Sequence, residues 1–282
     1  MVGAPVFAAP ARIHPAWSQC RAADPDARIA GCTQIIDSVA KETAHNKLAA
    51  YVNRAGAYQA KGDYASAIAD FGKALDVDPK SAVVLVARGA AHQGKGDLDA
   101  AIADYDKAIA LDKKNAAAYV ARAAIWRAKG DGEKALADLG EAAKLDPKSP
   151  AAHVARGAIY HARGEHDRAI ENFSEAAKRD PKHAAARSGR GACYYAKGEF
   201  DKAIADLDAA LKIDPKNVAA LINRANAWRG KKDFVRAKAD YEAALAARPD
   251  LAAAKKGSED MAKLIAKVSG DAAPAGVPPE RD

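Results

Sequence analysis

Large side chains are scarce in this chain. Aromatic residues make up 6% of its 282 positions and Met only two of them. The apolar share of 49% is ordinary in size, but 75 of the residues are Ala, about 27%, so only about 22% remains for larger apolar side chains. Such a chain cannot build one thick core. It can pack many helices closely, because Ala is the strongest helix former and lets backbones approach. Also missing is any run of eighteen apolar residues, which excludes a membrane-spanning helix. Three cysteines are too few for a disulfide-built scaffold, and their spacing fits neither a CxxC redox pair nor a zinc site. Lys plus Arg number 44 against 37 for Asp plus Glu, a net charge of +7 that favours acidic partners without demanding nucleic acid.

Catalytic motifs are absent too. There is no GxxxxGK[ST], no HExxH and no EF-hand spacing, and no nucleophile, base and anion site converge in the sequence. The reading is of a non-enzyme with no cofactor.

What the chain has instead is a period. The segments starting at Leu48, Ala82, Ala116, Pro150, Ala184 and Val218 align without insertion or deletion, so 48–251 is six units of 34 residues: 48–81, 82–115, 116–149, 150–183, 184–217 and 218–251. Apolar residues at three and four spacing in both halves predict two helices per unit. Position 15 of the unit is Gly in five cases (Gly62, Gly96, Gly130, Gly164, Gly198) and Lys232 in the sixth, and an acidic residue always follows, a helix stop and then a helix start. Position 32 is Pro in five units, with Lys113 in the second. Positions 20 and 27 are Ala in all six, leaving one face of the second helix bare for close contact.

With small residues at position 8, aromatics at most of positions 11 and 24, Ala at 20 and 27 and Pro at 32, the chain resembles the tetratricopeptide repeat family. The resemblance implies an all-α, right-handed superhelical solenoid of antiparallel helix pairs and a non-catalytic protein–protein interaction scaffold. It further implies that positions 2, 5, 9, 12 and 13 of each first helix face a concave groove that holds a peptide or helical segment of a partner. Those positions nominate Val52, Gln59, Val86, Gln93, Val120, Arg127, Val154, His161, Tyr195, Ile222, Asn226 and Arg229 as the partner-binding groove, together with Ser188. The bland alternative for each valine is that it fills space between neighbouring helices. The Lys and Asn/Arg pattern with which known peptide-binding members hold a C-terminal carboxylate is missing, since position 2 is Ala or Val throughout and position 6 keeps only Asn53 and Asn223. The alternative function is binding of single-stranded nucleic acid or another polyanion on a basic solenoid surface. Against it, the Lys residues at position 33 are explained by the dipole of the helix that precedes them, and aromatics for base stacking are missing from most groove positions.

One departure from the family pattern recurs. Position 7, usually a large aliphatic, is Arg54, Arg88, Arg122, Arg156, Arg190 and Arg224, and position 23 is Asp70, Asp104, Asp138, Asn172, Asp206 and Asp240. Half-buried guanidinium groups need carboxylates close by, so these pairs predict a structural Arg–Asp ladder joining the two helices of each unit. A basic stripe for a ligand is the competing reading.

Outside the repeats, 1–25 reads as an irregular N-terminal arm, 26–47 as a capping half repeat, 252–268 as a capping helix with Met261, Leu264, Ile265 and Val268 on one face, and 269–282 as a disordered tail. The opening segment has no basic n-region, so it is not an intact secretory signal, but it is compatible with the remnant of one. A disulfide between Cys20 and Cys32 would pin the arm to the cap and imply an oxidising compartment, which favours the periplasm or secretion over the cytoplasm. Cys193 reads as a small core residue. His153, His161, His166 and His183 crowd the fourth unit at positions 4, 12, 17 and 34, which places them on different faces, so no metal site is expected. The expected assembly is a monomer with a protein or peptide partner.

Overall fold

The computed structural model describes residues 16–38 and 43–270. These residues form fifteen helices, and there is no strand among them. The chain divides into two compact units, Met1–Asp146 and Pro147–Asp282.

In the first unit, α1 (Trp17–Cys20) and α2 (Pro25–Asp37) precede three helix pairs: α3 (Ala44–Ala60) with α4 (Tyr64–Val77), α5 (Ala82–Lys95) with α6 (Leu98–Leu111), and α7 (Ala116–Ala128) with α8 (Gly132–Leu145). Three further pairs make the second: α9 (Ala151–Ala162) with α10 (His166–Arg179), α11 (Ala184–Ala196) with α12 (Phe200–Ile213), and α13 (Val218–Gly230) with α14 (Phe234–Ala247). There α15 (Ala252–Gly270) packs on α14 and buries Met261.

Each pair is joined by the same turn. The residue at position 15 takes a left-handed conformation, with φ between 75° and 93° at the five glycines and 61° at Lys232. In five of the six units the acidic residue after it caps the second helix or ion-pairs near its start: Asp63, Asp131 and Asp233 accept from the amides of Ser66, Lys134 and Arg236, and Glu165 and Glu199 hold Arg168 and Lys202 at 2.7 and 2.6 Å. At the far end of the second helix Asp78, Asp112, Asp180 and Asp214 each accept from the amide two residues on. That bond explains why Lys113 is tolerated where other units have Pro: Asp112 holds the turn through the amide of Lys114 at 2.9 Å.

Packing follows the alanines. Every Ala at positions 20 and 27 is at most 2% exposed, from Ala67 and Ala74 to Ala237 and Ala244. With no side chain beyond Cβ, these residues bring the second helices against their neighbours. Larger residues fill the remaining space in small clusters, such as Phe71, Val84 and Leu85 in the first unit and Leu207, Leu221 and Tyr241 in the second.

The N-terminal cap differs from expectation. Residues 16–25 are not irregular throughout: Trp17–Cys20 is a helical turn with Trp17 and Cys20 buried, and α2 starts at Pro25 under an Asp24 cap that accepts from the amide of Ala27 at 2.8 Å. A disulfide joins Cys20 to Cys32. Gly31 makes the close approach possible, because a Cβ there would lie 2.5 Å from the amide nitrogen of Cys20. At the other end Ser269 and Gly270 continue α15 rather than beginning a tail. The rest of the expected arm and tail, 1–15 and 271–282, lies outside the described residues, as does 39–42 of the capping half repeat.

Candidate functional site

The recurrent Arg residues point back into the protein. Arg54, Arg88, Arg122, Arg190 and Arg224 each donate through Nε and Nη2 to both carboxylate oxygens of Asp70, Asp104, Asp138, Asp206 and Asp240, at 2.6 to 2.8 Å. The five carboxylates are buried, and the hydrogen bonds to them raise the pKa of each guanidinium. These charges are spent inside the fold and do not form a stripe for a ligand. Arg156 and Asn172 break the series: the Asn172 amide donates to the carbonyl of Arg168 at 2.8 Å, and Nε of Arg156 is buried with no hydrogen-bond partner among the described residues.

A second set of acceptors was not anticipated. Nη1 of Arg54 donates to Thr33, of Arg122 to Asp106, of Arg190 to Ser174 and of Arg224 to Asp208, at 2.5 to 3.0 Å. Asp106, Ser174 and Asp208 share one register, position 25 of the unit before, so in these cases the ladder ties a repeat to its predecessor as well as helix to helix. Thr33 extends that register into the cap. The signal was present in the sequence as a recurrent short polar residue at position 25, interrupted by Gly72 and Gly140. Cations at position 19 were likewise missed: Lys134, Arg168, Lys202 and Arg236 lie over the rings of Trp126, Tyr160, Tyr194 and Trp228 at 3.9 to 5.6 Å.

The nominated groove residues are not equivalent. Val52 is fully buried in the core of the first unit and offers no surface, a correction to its nomination, because α3 lies between α2 and α4 and Val52 joins a cluster with Phe71, Val84 and Leu85. Ser188 is also buried. Val86, Val120, Val154 and Ile222 are half-buried, as are Gln59, His161, Tyr195 and Asn226, whereas Gln93, Arg127 and Arg229 are exposed. In the second unit the first helices are neighbours, α11 lying against both α9 and α13. Tyr195, Asn226 and Arg229 line one concavity of about 400 Å³ with Phe200 and Gly230. Asn226 is held in place by accepting from the hydroxyl of Tyr241 at 2.6 Å.

The histidines do not fall on separate faces as expected. His161 and His166 have ring centroids 5.3 Å apart, and Nδ1 of His161 is 3.2 Å from Sγ of Cys193. The turn between α9 and α10 folds position 17 back beside position 12, and position 10 of the next first helix packs against both. Burial, and secondarily His166, lowers the pKa of His161, while burial pushes the Cys193 thiol up to about 12. His153 stands apart, its pKa lowered by burial and then by Arg179 and Arg156, and His183 caps α11 by accepting from the amide of Ala186 at 3.3 Å.

Helix pairs of this length, joined by a left-handed glycine and packed through alanines at fixed register, define a helical-repeat protein. The chain belongs to the tetratricopeptide repeat family: family models of that description match residues 43–114 and, in overlapping segments, 86–150, 127–181, 154–218 and 194–252. Among solved structures it is similar to the Cut9–Hcn1 hetero-tetramer of the APC/C, at 19% identity and a TM-score of 0.67, over 84% of this chain and 48% of that one. The chain thus spans about half the length of that relative. PilF of Pseudomonas aeruginosa matches at 19% identity and a TM-score of 0.67, over 79% of this chain and 99% of its own. YrrB, described as a TPR protein with an unusual peptide-binding site, matches at 21% identity and a TM-score of 0.53, over 67% of this chain and 97% of its own. A search of curated protein sequences returned no significant match. Family and fold support a protein–protein interaction scaffold, and no helix among the described residues is long and apolar enough to cross a membrane.

Proposed function

We propose that the protein binds an extended peptide or a helical segment of a partner on the exposed side of its first helices, with the principal contact in the second unit. The observation that carries this reading is the concavity of about 400 Å³ lined by Tyr195, Phe200, Asn226 and Arg229. Its chemistry is that of a peptide subsite. Two aromatic rings, with centroids 6.1 Å apart, offer an apolar wall. Asn226 offers an amide already positioned by Tyr241. Arg229 is exposed and stands free of the internal ladder, so its charge is available to a carboxylate. The ligand that fits is a segment with an apolar anchor and an acidic residue beside it.

The test is selection from a random peptide library displayed against the purified protein, followed by titration of the best sequences. Enrichment of acidic residues next to an apolar anchor, with binding lost in Arg229→Glu and Tyr195→Ala while helicity is retained, is the expected result. Unchanged affinity in both variants moves the site elsewhere. Failure to select peptides, together with nuclease-sensitive retention of nucleic acid, favours the polyanion alternative.

A further inference from the structure

The cluster of His161, His166 and Cys193 has no part in the peptide subsite and is not explained by packing. One ligand atom from each residue can be chosen so that all three lie within 4.8 Å of one another. In a tetrahedral zinc site with Zn–N near 2.0 Å and Zn–S near 2.3 Å, neighbouring ligand atoms are about 3.3 to 3.6 Å apart. The Cys193 to His161 separation of 3.2 Å is already of that size, and the ligand atom of His166 lies within 4.8 Å of both.

The repeat supplies an internal control. Positions 12 and 17 also meet in the next repeat, where Tyr195 and Phe200 have ring centroids 6.1 Å apart against 5.3 Å for His161 and His166. Read along the sequence, positions 12, 17 and 10 of the following unit give the triplets Gln59, Tyr64, Ala91; Gln93, Leu98, Ile125; Arg127, Gly132, Ile159; His161, His166, Cys193; and Tyr195, Phe200, Ala227. At position 17 four of the other five units carry a large apolar or aromatic residue, and at position 10 every other unit carries Ala or Ile. The fourth triplet alone replaces all three members at once with residues that ligate metals. Helix packing does not ask for this, since in the next repeat Tyr195 and Phe200 fill the same two positions as a plain ring contact. Nδ1 of His166 is moreover buried with no hydrogen-bond partner among the described residues, an expensive state for a packing residue.

We propose that His161, His166 and Cys193 bind one zinc ion, with a fourth position left to water or to a ligand from a partner. Two imidazoles and one thiolate are a borderline-soft donor set that suits zinc over calcium or magnesium. On binding, the Cys193 thiol gives its proton to solvent and both imidazoles bind through neutral nitrogens. The ligands come from the end of α9, the start of α10 and the middle of α11, so the ion would clamp two successive repeats of the second unit.

The experiment is a titration of the full chain, metal-free and with its disulfide intact, with Co²⁺ followed by Zn²⁺. The expected result is visible d–d absorption with a near-ultraviolet thiolate-to-cobalt band, both bleached by stoichiometric zinc, and a higher thermal midpoint with metal. His166→Phe and Cys193→Ala install residues that other repeats already carry at those positions, so both retain the fold by circular dichroism. Cys193→Ala should lose the charge-transfer band, and each variant should bind zinc at least about tenfold more weakly. A cobalt titration without the thiolate band, or zinc affinity unchanged in both variants, overturns the proposal.

Discussion

Arg156 has no carboxylate where its five counterparts have one, because Asn172 turns its amide to the carbonyl of Arg168 and leaves Arg156 Nε buried and unbonded. The fourth repeat is therefore the weak rung of the ladder.

Restoring the carboxylate tests this directly. Asn172→Asp should raise the thermal midpoint and stabilise by about 1 kcal/mol, while Asp206→Asn, which removes the partner of Arg190, should destabilise by about 1.5 to 3 kcal/mol. Circular dichroism melts of the two variants against the parent give the comparison. No rise for Asn172→Asp beside a clear loss for Asp206→Asn would mean that Arg156 already has an acceptor in solution.

Lys232 is a non-glycine residue in the left-handed region, with φ of 61° where the other five turns use glycine. The Cβ is strained there by about 1 to 2 kcal/mol. Lys232→Gly should recover about 1 kcal/mol, less than the full strain because glycine is more flexible when unfolded. Urea unfolding followed by helicity measures it.

Ala169 is fully buried at the contact of α10 with its neighbours. Replacement by Leu should overpack that contact and destabilise by about 1 to 3 kcal/mol. The same change at exposed Ala162, near the end of α9, should be close to neutral and serves as the control in the same melts.

The Cys20–Cys32 disulfide closes a loop with a sequence separation of 12. In the chain-entropy treatment a loop of that size is worth about 3 kcal/mol. Replacing both cysteines by Ser should loosen α1 and α2 first, seen as faster hydrogen exchange at Trp17 and Ile35 with the amides of α11 to α14 unchanged. Protection lost evenly along the chain would instead make the cap the keystone of the whole fold.

Much of this protein is legible from its 34-residue period. The breakers Gly62 and Pro79, the paired alanines Ala67 and Ala74, and the match of Arg54 with Asp70 are local or separated by half a unit, so a periodic sequence displays them in register. Two helices per unit, their turns and the five rungs of the ladder follow from that register, because each repeat solves the same packing problem with the same residues. The departures needed the tertiary structure. Val52 shares its position with Val86, yet one is fully buried and the other half-exposed, since burial depends on what stacks above a repeat and not on its own sequence. His161, His166 and Cys193 stand at three different positions of two units, so no comparison of like positions brings them together. Only the reversal of the chain at Gly164 and the stacking of α11 on that helix pair do so. Period alone determined the helices and their internal ties; contact between successive repeats decided where polar groups converge, because side chains meet across helices according to stacking geometry.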